Sequence, residues 1–279
     1  MNARICVGIP RFANHGDMVS FDLAAFLFTI ERAVHVQAGL ETWADGTVTL
    51  EPAPHPPDCV DGRADLFRSF LAAGDRYTHL WCVDADTAGP PDKLARAVRG
   101  MLTAGKDWIA CPVVLKSYDW AAVADYVRKQ AENVSSYGVL VDPDPQALEA
   151  ASHRYSPDLH ALDLSKAKDE VLQVDRTHLA CTLLRRDALV RLVDAYRPDL
   201  EYWRPGPKIG PGHVALPLLS IAPSGELVRE DYAVADRFRA IGGELFLYLG
   251  AGAMDHVGLH RFTGASAEYL PGRRPRLHV

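Results

Sequence analysis

The sequence predicts an α/β fold: a mostly parallel central sheet covered by helices on both faces. Three observations carry this. Short apolar runs alternate with amphipathic helical patterns through the first third of the chain. Pro, Gly and Asp punctuate the changes between them. The 279 residues are 48% hydrophobic and 24% charged, an ordinary globular balance that excludes a disordered chain or a fibre. A chain of this length buries a sizeable core without disulfides or a structural metal.

The elements follow in order. Ile5 to Ile9 reads as a buried strand. After the loop RFANHGD, a helix runs from about Ser20, with Leu23, Leu27, Ile30 and Val34 on one face and Gly39 as its stop. Thr47 to Leu50 is a second strand candidate, and the proline-rich EPAPHPPD after it is a loop. Asp61 is expected to cap a helix carrying Leu66, Phe67, Phe70 and Leu71, closed by Gly74. Thr78 to Val83 is a third strand, ending at Asp84-Ala85-Asp86-Thr87. A proline-started helix with Leu94, Val98, Met101 and Leu102 on one face follows, then a fourth strand over Trp108 to Val114.

Beyond this the pattern loosens. Asp119 to Lys129 reads as helix, Val139 to Val141 as a short strand, and residues 142 to 170 as a polar loop or excursion. Val171 to Leu184 is strand material, followed by a helix through Leu189, Leu192, Val193 and Tyr196. Residues 198 to 226 have no clear period, which in a compact domain marks a functional or mobile loop. EDYAVADRFRAIGG is a helix with Val234, Phe238 and Ile241 on one face, and Glu244 to Leu249 is the last strand expected. The chain is expected to be one domain over 1–279.

The net charge of −6 excludes a globally basic nucleic-acid binder, although Arg273, Arg274 and Arg276 make a small local patch. The five cysteines, Cys6, Cys59, Cys82, Cys111 and Cys181, are scattered without a CxxC. Cys6, Cys82 and Cys111 sit in apolar runs, as reduced core thiols of a cytoplasmic protein do. Without a signal-peptide pattern or a membrane-length apolar stretch, no membrane association is expected.

Asp84 and Asp86 are the sharpest chemical signal. Residues i and i+2 of a strand point the same way, and strand C-termini are where open α/β sheets bind ligands. A divalent cation carrying a phosphate ligand would neutralise them, and oxygen donors suit Mg²⁺ or Mn²⁺. The alternative is a turn with Asp86 or Thr87 capping the next helix. Glu230 and Asp231 open a helix, as a macrodipole pair or as a general base. His256, in Asp255-His256-Val257-Gly258, completes a metal site or bonds to backbone. His178 and His213 carry the same two readings. Arg11, Arg63 and Lys116 could face a pyrophosphate or simply be solvated. No Walker A, GxGxxG or GxSxG motif is present.

The order of these pieces resembles the GT-A glycosyltransferases, whose nucleotide-binding domain is Rossmann-like, in particular the short family-2-like enzymes of bacteriophages and bacteria. The resemblance spans roughly residues 3 to 262, and it implies that residues 1–115 are the nucleotide-sugar-binding half and residues 116–279 the acceptor-binding half with the C-terminal tail. It is carried by HLWCVDADTAGPPDKL, KSYDWAAV and REDYAVADRFRAIGGELFLYLGAGAMDHVG. It implies that Asp84 and Asp86 are the DxD pair, and that His256 helps hold the metal–diphosphate unit. It makes Asp231 the base with Glu230 beside it, places Pro10, Arg11 and Arg63 along the nucleotide pocket, and sets Trp120 at the sugar pocket. Arg176-Thr177-His178-Leu179-Ala180 departs from the Gly-Thr-Gly-Phe-like loop of such enzymes, which puts their usual sugar contacts there in doubt.

The activity implied is metal-dependent inverting transfer of a hexose such as glucose from a UDP-sugar to an acceptor hydroxyl, with Mn²⁺ or Mg²⁺ as cofactor. An ordinary carboxylate at Asp231, ionised at neutral pH, would suffice as base. The acceptor expected is a 5-hydroxymethylpyrimidine base in phage DNA, flipped from its stack. A polysaccharide or protein hydroxyl, a sugar nucleotidyltransferase and a catalytically dead binding module are the alternatives.

Overall fold

The structure is a computed structural model that describes residues 3–8, 59–84, 87–137, 145–203, 212–217, 220–221, 225, 227–257 and 261–262. The helix read from Ser20, the strand at Thr47–Leu50, the EPAPHPPD loop and the strand at Val139–Val141 lie outside these residues. In chain order the first elements are β1 (Ile5–Gly8), α1 (Cys59–Ala72), β2 (His79–Val83), β3 (Thr87–Ala88), α2 (Pro91–Ala104), β4 (Trp108–Ala110) and β5 (Val113–Tyr118). Then come α3 (Trp120–Tyr137), α4 (Pro145–Ser152), β6 (His153–Ser156), β7 (Val171–Val174), β8 (Cys181–Arg185) and α5 (Arg186–Leu200). The short strands β9 (Glu201–Tyr202), β10 (His213–Val214), β11 (Ser220–Ile221) and β12 (Leu227–Val228) precede α6 (Glu230–Ala240), β13 (Leu245–Tyr248), β14 (Asp255–Val257) and β15 (Arg261–Phe262).

The protein is α/β, and among the described residues its main sheet has six strands in the order β1-β2-β8-β4-β13-β7. The sheet is mixed, not mostly parallel as its β–α–β beginning predicts. β1–β2 and β4–β13 pair in parallel, while β8 pairs antiparallel with both β2 and β4, and β7 antiparallel with β13. The cause is β8, which arrives late in the chain and runs opposite to its neighbours. Its run Cys181–Leu184 is buried throughout, so it fits a slot covered on both faces. Strands from the two sequence halves therefore interleave in one sheet.

Side chains alternate between two core layers. Cys6, Leu80, Trp108, Leu184 and Leu247 point to the layer formed with α1, α5 and α6. Ile5, Trp81, Ile109, Leu183 and Phe246 point to the layer formed with α2. Helices thus cover both faces, as their apolar stripes predict. Trp108 and Phe238, each 1% exposed or less, anchor the first layer with ring centroids 5.3 Å apart.

Several boundaries differ from expectation. α1 begins at Cys59, so Asp61 lies inside the helix and does not cap it. The strand read over Trp108–Val114 is two strands, because Pro112 has no N–H with which to continue the ladder. The Pro112 carbonyl instead accepts from Met254 N–H at 2.7 Å, and β5 pairs with β6 in a separate sheet. Residues 142–170 hold α4 and β6 where a loop was expected. The material over Val171–Leu184 divides into β7 at the sheet edge and β8 at its centre. α3 is longer than its pattern, capped by Asp119, whose Oδ1 accepts from Ala122 N–H at 3.0 Å. β14 and β15 follow the strand expected to be last.

Cys6, Cys82, Cys111 and Cys181 are buried free thiols. No helix of the described residues is long and apolar enough to cross a membrane.

Gly100 lies inside α2, where glycine costs about 1 kcal/mol relative to alanine. A Cβ there would stand 2.0 Å from Cζ of the buried Tyr248 ring. Gly100→Ala is therefore expected to destabilise the protein by about 1–3 kcal/mol despite its better helix propensity. Thermal unfolding followed by circular dichroism checks this, and a raised midpoint would show that the ring yields freely.

Candidate functional site

One guanidinium collects three carboxylates from separate parts of the sequence. Arg63, on α1, is 4% exposed. Its Nη2 lies 3.0 and 3.3 Å from the two carboxylate oxygens of Asp84, just past the end of β2. Its Nη1 hydrogen-bonds Asp231 and lies 3.5 Å from Oε1 of Glu230, both in the first turn of α6. Phe67 and Phe70, one and two turns along α1, are buried in the core and fix the helix that carries it.

Three carboxylates on one guanidinium leave the cluster with excess negative charge. Burial disfavours the charged guanidinium, yet Asp84, Asp231 and Glu230 outweigh it and hold Arg63 protonated more firmly than usual. Asp231 moves to about 6, raised first by burial and then by Asp84 and Glu230, with Arg63 and the Leu179 backbone N–H opposing. The ordinary carboxylate expected at this position is thus replaced by one tuned upward. Arg63, expected to face a pyrophosphate or solvent, has its guanidinium engaged by the acidic cluster.

His256 reaches the same end of the sheet through strand pairing. β14 runs antiparallel to β3, with His256 opposite Thr87 and Asp255 opposite Ala88. Thr87 N–H donates to the Asp84 carbonyl at 2.9 Å, which closes the chain tightly behind β2. Asp84 and His256, far apart in sequence, are therefore linked through one turn and one ladder. His256 Nδ1 lies 2.9 Å from the Val114 carbonyl. A carbonyl only accepts, so Nδ1 carries the proton and Nε2 the lone pair, the tautomer that binds a metal. Asp255 is 1% exposed and pairs with Lys93 Nζ at 3.4 Å, tying β14 to α2.

Among the described residues no three His, Cys, Asp or Glu side chains gather as a cation site; Asp86 lies outside them. The donors present still suit a divalent cation: surplus carboxylate charge at Asp84, the imidazole tautomer of His256, and a buried Thr87 hydroxyl with no partner among the described residues. Pro10 and Arg11 lie outside the described residues, as does the side chain of Lys116, whose backbone belongs to β5. Trp120 is 71% exposed at the start of α3, with its ring centroid 5.5 Å from that of Tyr118.

The other two candidate histidines are structural. Burial lowers His178 to about 4 and keeps it neutral. Its Nδ1 accepts from Ala180 N–H at 3.0 Å, while Thr182 Oγ1 donates to its carbonyl. His213 hydrogen-bonds Asp65 of α1. The His178 turn presents Leu179 N–H to Asp231, a contribution no side-chain pattern could reveal. Lys93 was equally invisible, since a lysine in the first turn of a helix reads as solvated.

No family model matches the chain, and neither does any curated protein. Among solved structures the chain is similar to A197 from STIV, at 14% identity and a TM-score of 0.43, over 91% of this chain and 86% of that one. Similarity at that depth carries no argument about fold family or function.

The raised pKa of Asp231 has a sign. Between about 4 and 6 the folded state holds a proton that the unfolded chain has released, so this group's stabilising contribution falls as pH rises through that window. Asp231→Asn, which cannot titrate, should gain stability relative to the unaltered protein from pH 4 to pH 6. Paired denaturant titrations across that range measure the difference, and parallel curves would remove the shift.

Proposed function

We propose that this protein is an inverting glycosyltransferase of GT-A type. It would move a hexose from a UDP-sugar to an acceptor hydroxyl, with a 5-hydroxymethylpyrimidine base in DNA as the acceptor. The observation that carries the reading is the convergence of Asp84, Glu230 and Asp231 on buried Arg63, beside the turn to which β14 delivers His256. The constellations implied by the sequence resemblance lie far apart along the chain, and that geometry supports their joint use.

Asp231 serves as the base. Its pKa near 6 leaves it ionised at neutral pH and more basic than an unperturbed carboxylate, so it accepts the hydroxyl proton as the oxygen attacks the anomeric carbon. Attack from the face opposite the leaving diphosphate inverts that carbon. Arg63 and Leu179 N–H hold the carboxylate in place, and a carboxylate has acceptor capacity left for the incoming hydroxyl. Glu230 adds negative charge that keeps Asp231 basic. Asp84, Asp86 and His256 would hold Mn²⁺ or Mg²⁺, which when bound supplies charge neutralisation for the departing diphosphate. Arg63 keeps the carboxylates together when that charge is absent.

Three outcomes test this. Transfer to hydroxymethylated DNA, assayed with a panel of sugar nucleotides and Mn²⁺, should appear with one donor and vanish on chelation. Asp231→Asn should lower turnover by about 10²–10⁴-fold while donor affinity stays within a few-fold. The rate should rise with pH and level off above about 6, because only the ionised carboxylate accepts the proton. Near-normal turnover in the variant would refute the assignment, and nucleotide transfer in place of sugar transfer would move the protein to another class.

A further inference from the structure

A second recognition surface lies on the α2 face of the sheet. A groove of about 910 Å³ runs between α2 and the segment leading into β7, with Phe246 and Tyr248 of β13 as its floor. That volume sits at the upper end of the ~300–1,000 Å³ typical of small-ligand pockets. Arg96, Arg99 and Lys106 line one wall, and Lys166 and Lys168 the other. Five cations and two carboxylates, Asp169 and Glu170, line it, and a third carboxylate, Asp163, pairs with Lys166 at 3.6 Å, in a chain whose net charge is −6. Cations outnumber carboxylates here, against the overall balance.

The acidic pair sits in a turn whose geometry is fixed, with Glu170 bonded to the groove floor. Lys168 and Val171 exchange backbone hydrogen bonds of 2.9 and 2.8 Å, closing a two-residue turn on Asp169 and Glu170. Both hold positive φ, 49° and 64°, a left-handed conformation that non-glycine residues seldom adopt. The turn is pinned at β13: Glu170 carbonyl accepts from Leu249 N–H at 2.8 Å, and its carboxylate accepts from Tyr248 hydroxyl at 3.2 Å. Such strain persists only where surrounding contacts enforce it, and it collects at functional sites. Here it fixes Lys168 beside the groove and directs Glu170 to Tyr248.

We propose that this groove binds a single-stranded nucleic acid along its sugar-phosphate backbone. The cations do not converge on one point, as they would for a single phosphate. Arg96 and Arg99 lie about 4.5 Å apart along the helix axis, Lys106 follows the helix end, and two lysines face them. Guanidinium forks and ammonium groups on opposite walls suit a chain of phosphates. The floor is aromatic, with Lys106 Nζ 4.3 Å from the Phe246 ring centroid. Both rings are buried beneath these charges, at 9% and 8% exposed, so the groove offers its contacts to phosphate and sugar. The proposal does not rest on the transferase reading, because binding is measured without any donor.

The test is fluorescence anisotropy of a labelled oligothymidylate on the full chain over a range of salt concentrations. Lys106→Gln with Lys168→Gln should weaken binding by at least 10-fold and make the slope of log K against log salt shallower by about 1.4, at ~0.7 per single-strand phosphate contact. Arg96→Gln with Arg99→Gln, on the exposed helix face, repeats the test should the first pair misfold, with circular dichroism confirming the fold. Absence of binding by the unaltered protein, or unchanged binding by folded variants, overturns the proposal. So does polyglutamate competing as well as oligothymidylate at equal charge, or groove variants losing uridine diphosphate while the oligonucleotide never binds.

Discussion

The buried guanidinium of Arg63 is the charge on which the site depends. Without it, Asp84, Glu230 and Asp231 would be three mutually repelling carboxylates at the junction of β2, α1 and α6. Its planar fork reaches Asp84 with one nitrogen and the α6 pair with the other, a division that the point charge of lysine cannot make. One cation against three anions leaves the cluster compact and still electronegative. Its attraction for further positive charge follows directly from that imbalance.

The reversed strand at the sheet centre serves the same site. Because β8 runs against β2, the chain entering β8 crosses the sheet edge where β2 ends, and Asp84 N–H donates to the Ala180 carbonyl at 3.0 Å. That crossing places the His178 turn against α6 and brings a backbone N–H to Asp231. In an all-parallel sheet the preceding loop would open at the opposite end. The antiparallel slot thus supplies Asp231 with a neutral hydrogen-bond donor, which orients the carboxylate and lowers its basicity less than the cation does.

Much of this was legible in the residue order. The apolar stripe of α2 and the apolar runs of β2 and β13 mark their elements, and the structure buries Leu94, Val98 and Met101 and nearly all of both runs; on α6 it buries Val234 and Phe238 but leaves Ile241, just past the helix end, exposed. Asp84, Glu230, Asp231 and His256 stood out because polar residues directly beyond apolar runs mark element ends. What joins them was not legible. Arg63 carries no local sign that it turns inward to carboxylates far along the chain, since a lone arginine in an amphipathic helix reads as solvated. The direction of β8 was hidden because a run buried on both faces looks the same either way round. The break at Pro112 was legible in principle, since a ladder cannot pass a residue lacking N–H. The apolar run around it masked the break.

The pairing of β14 with β3 has a consequence for how the molecule comes into being. The residues joined by that ladder are separated by well over half of the chain, and loop closure of that span is slow and entropically costly. On a ribosome, which releases sequence from the N-terminus onward, Arg63 and the turn behind β2 would emerge long before α6 brings Glu230 and Asp231 to them or β14 flanks them. In a nascent chain this cluster is therefore incomplete until nearly all of the sequence has been made, and truncation before β14 would leave it unflanked while sparing most of the sheet.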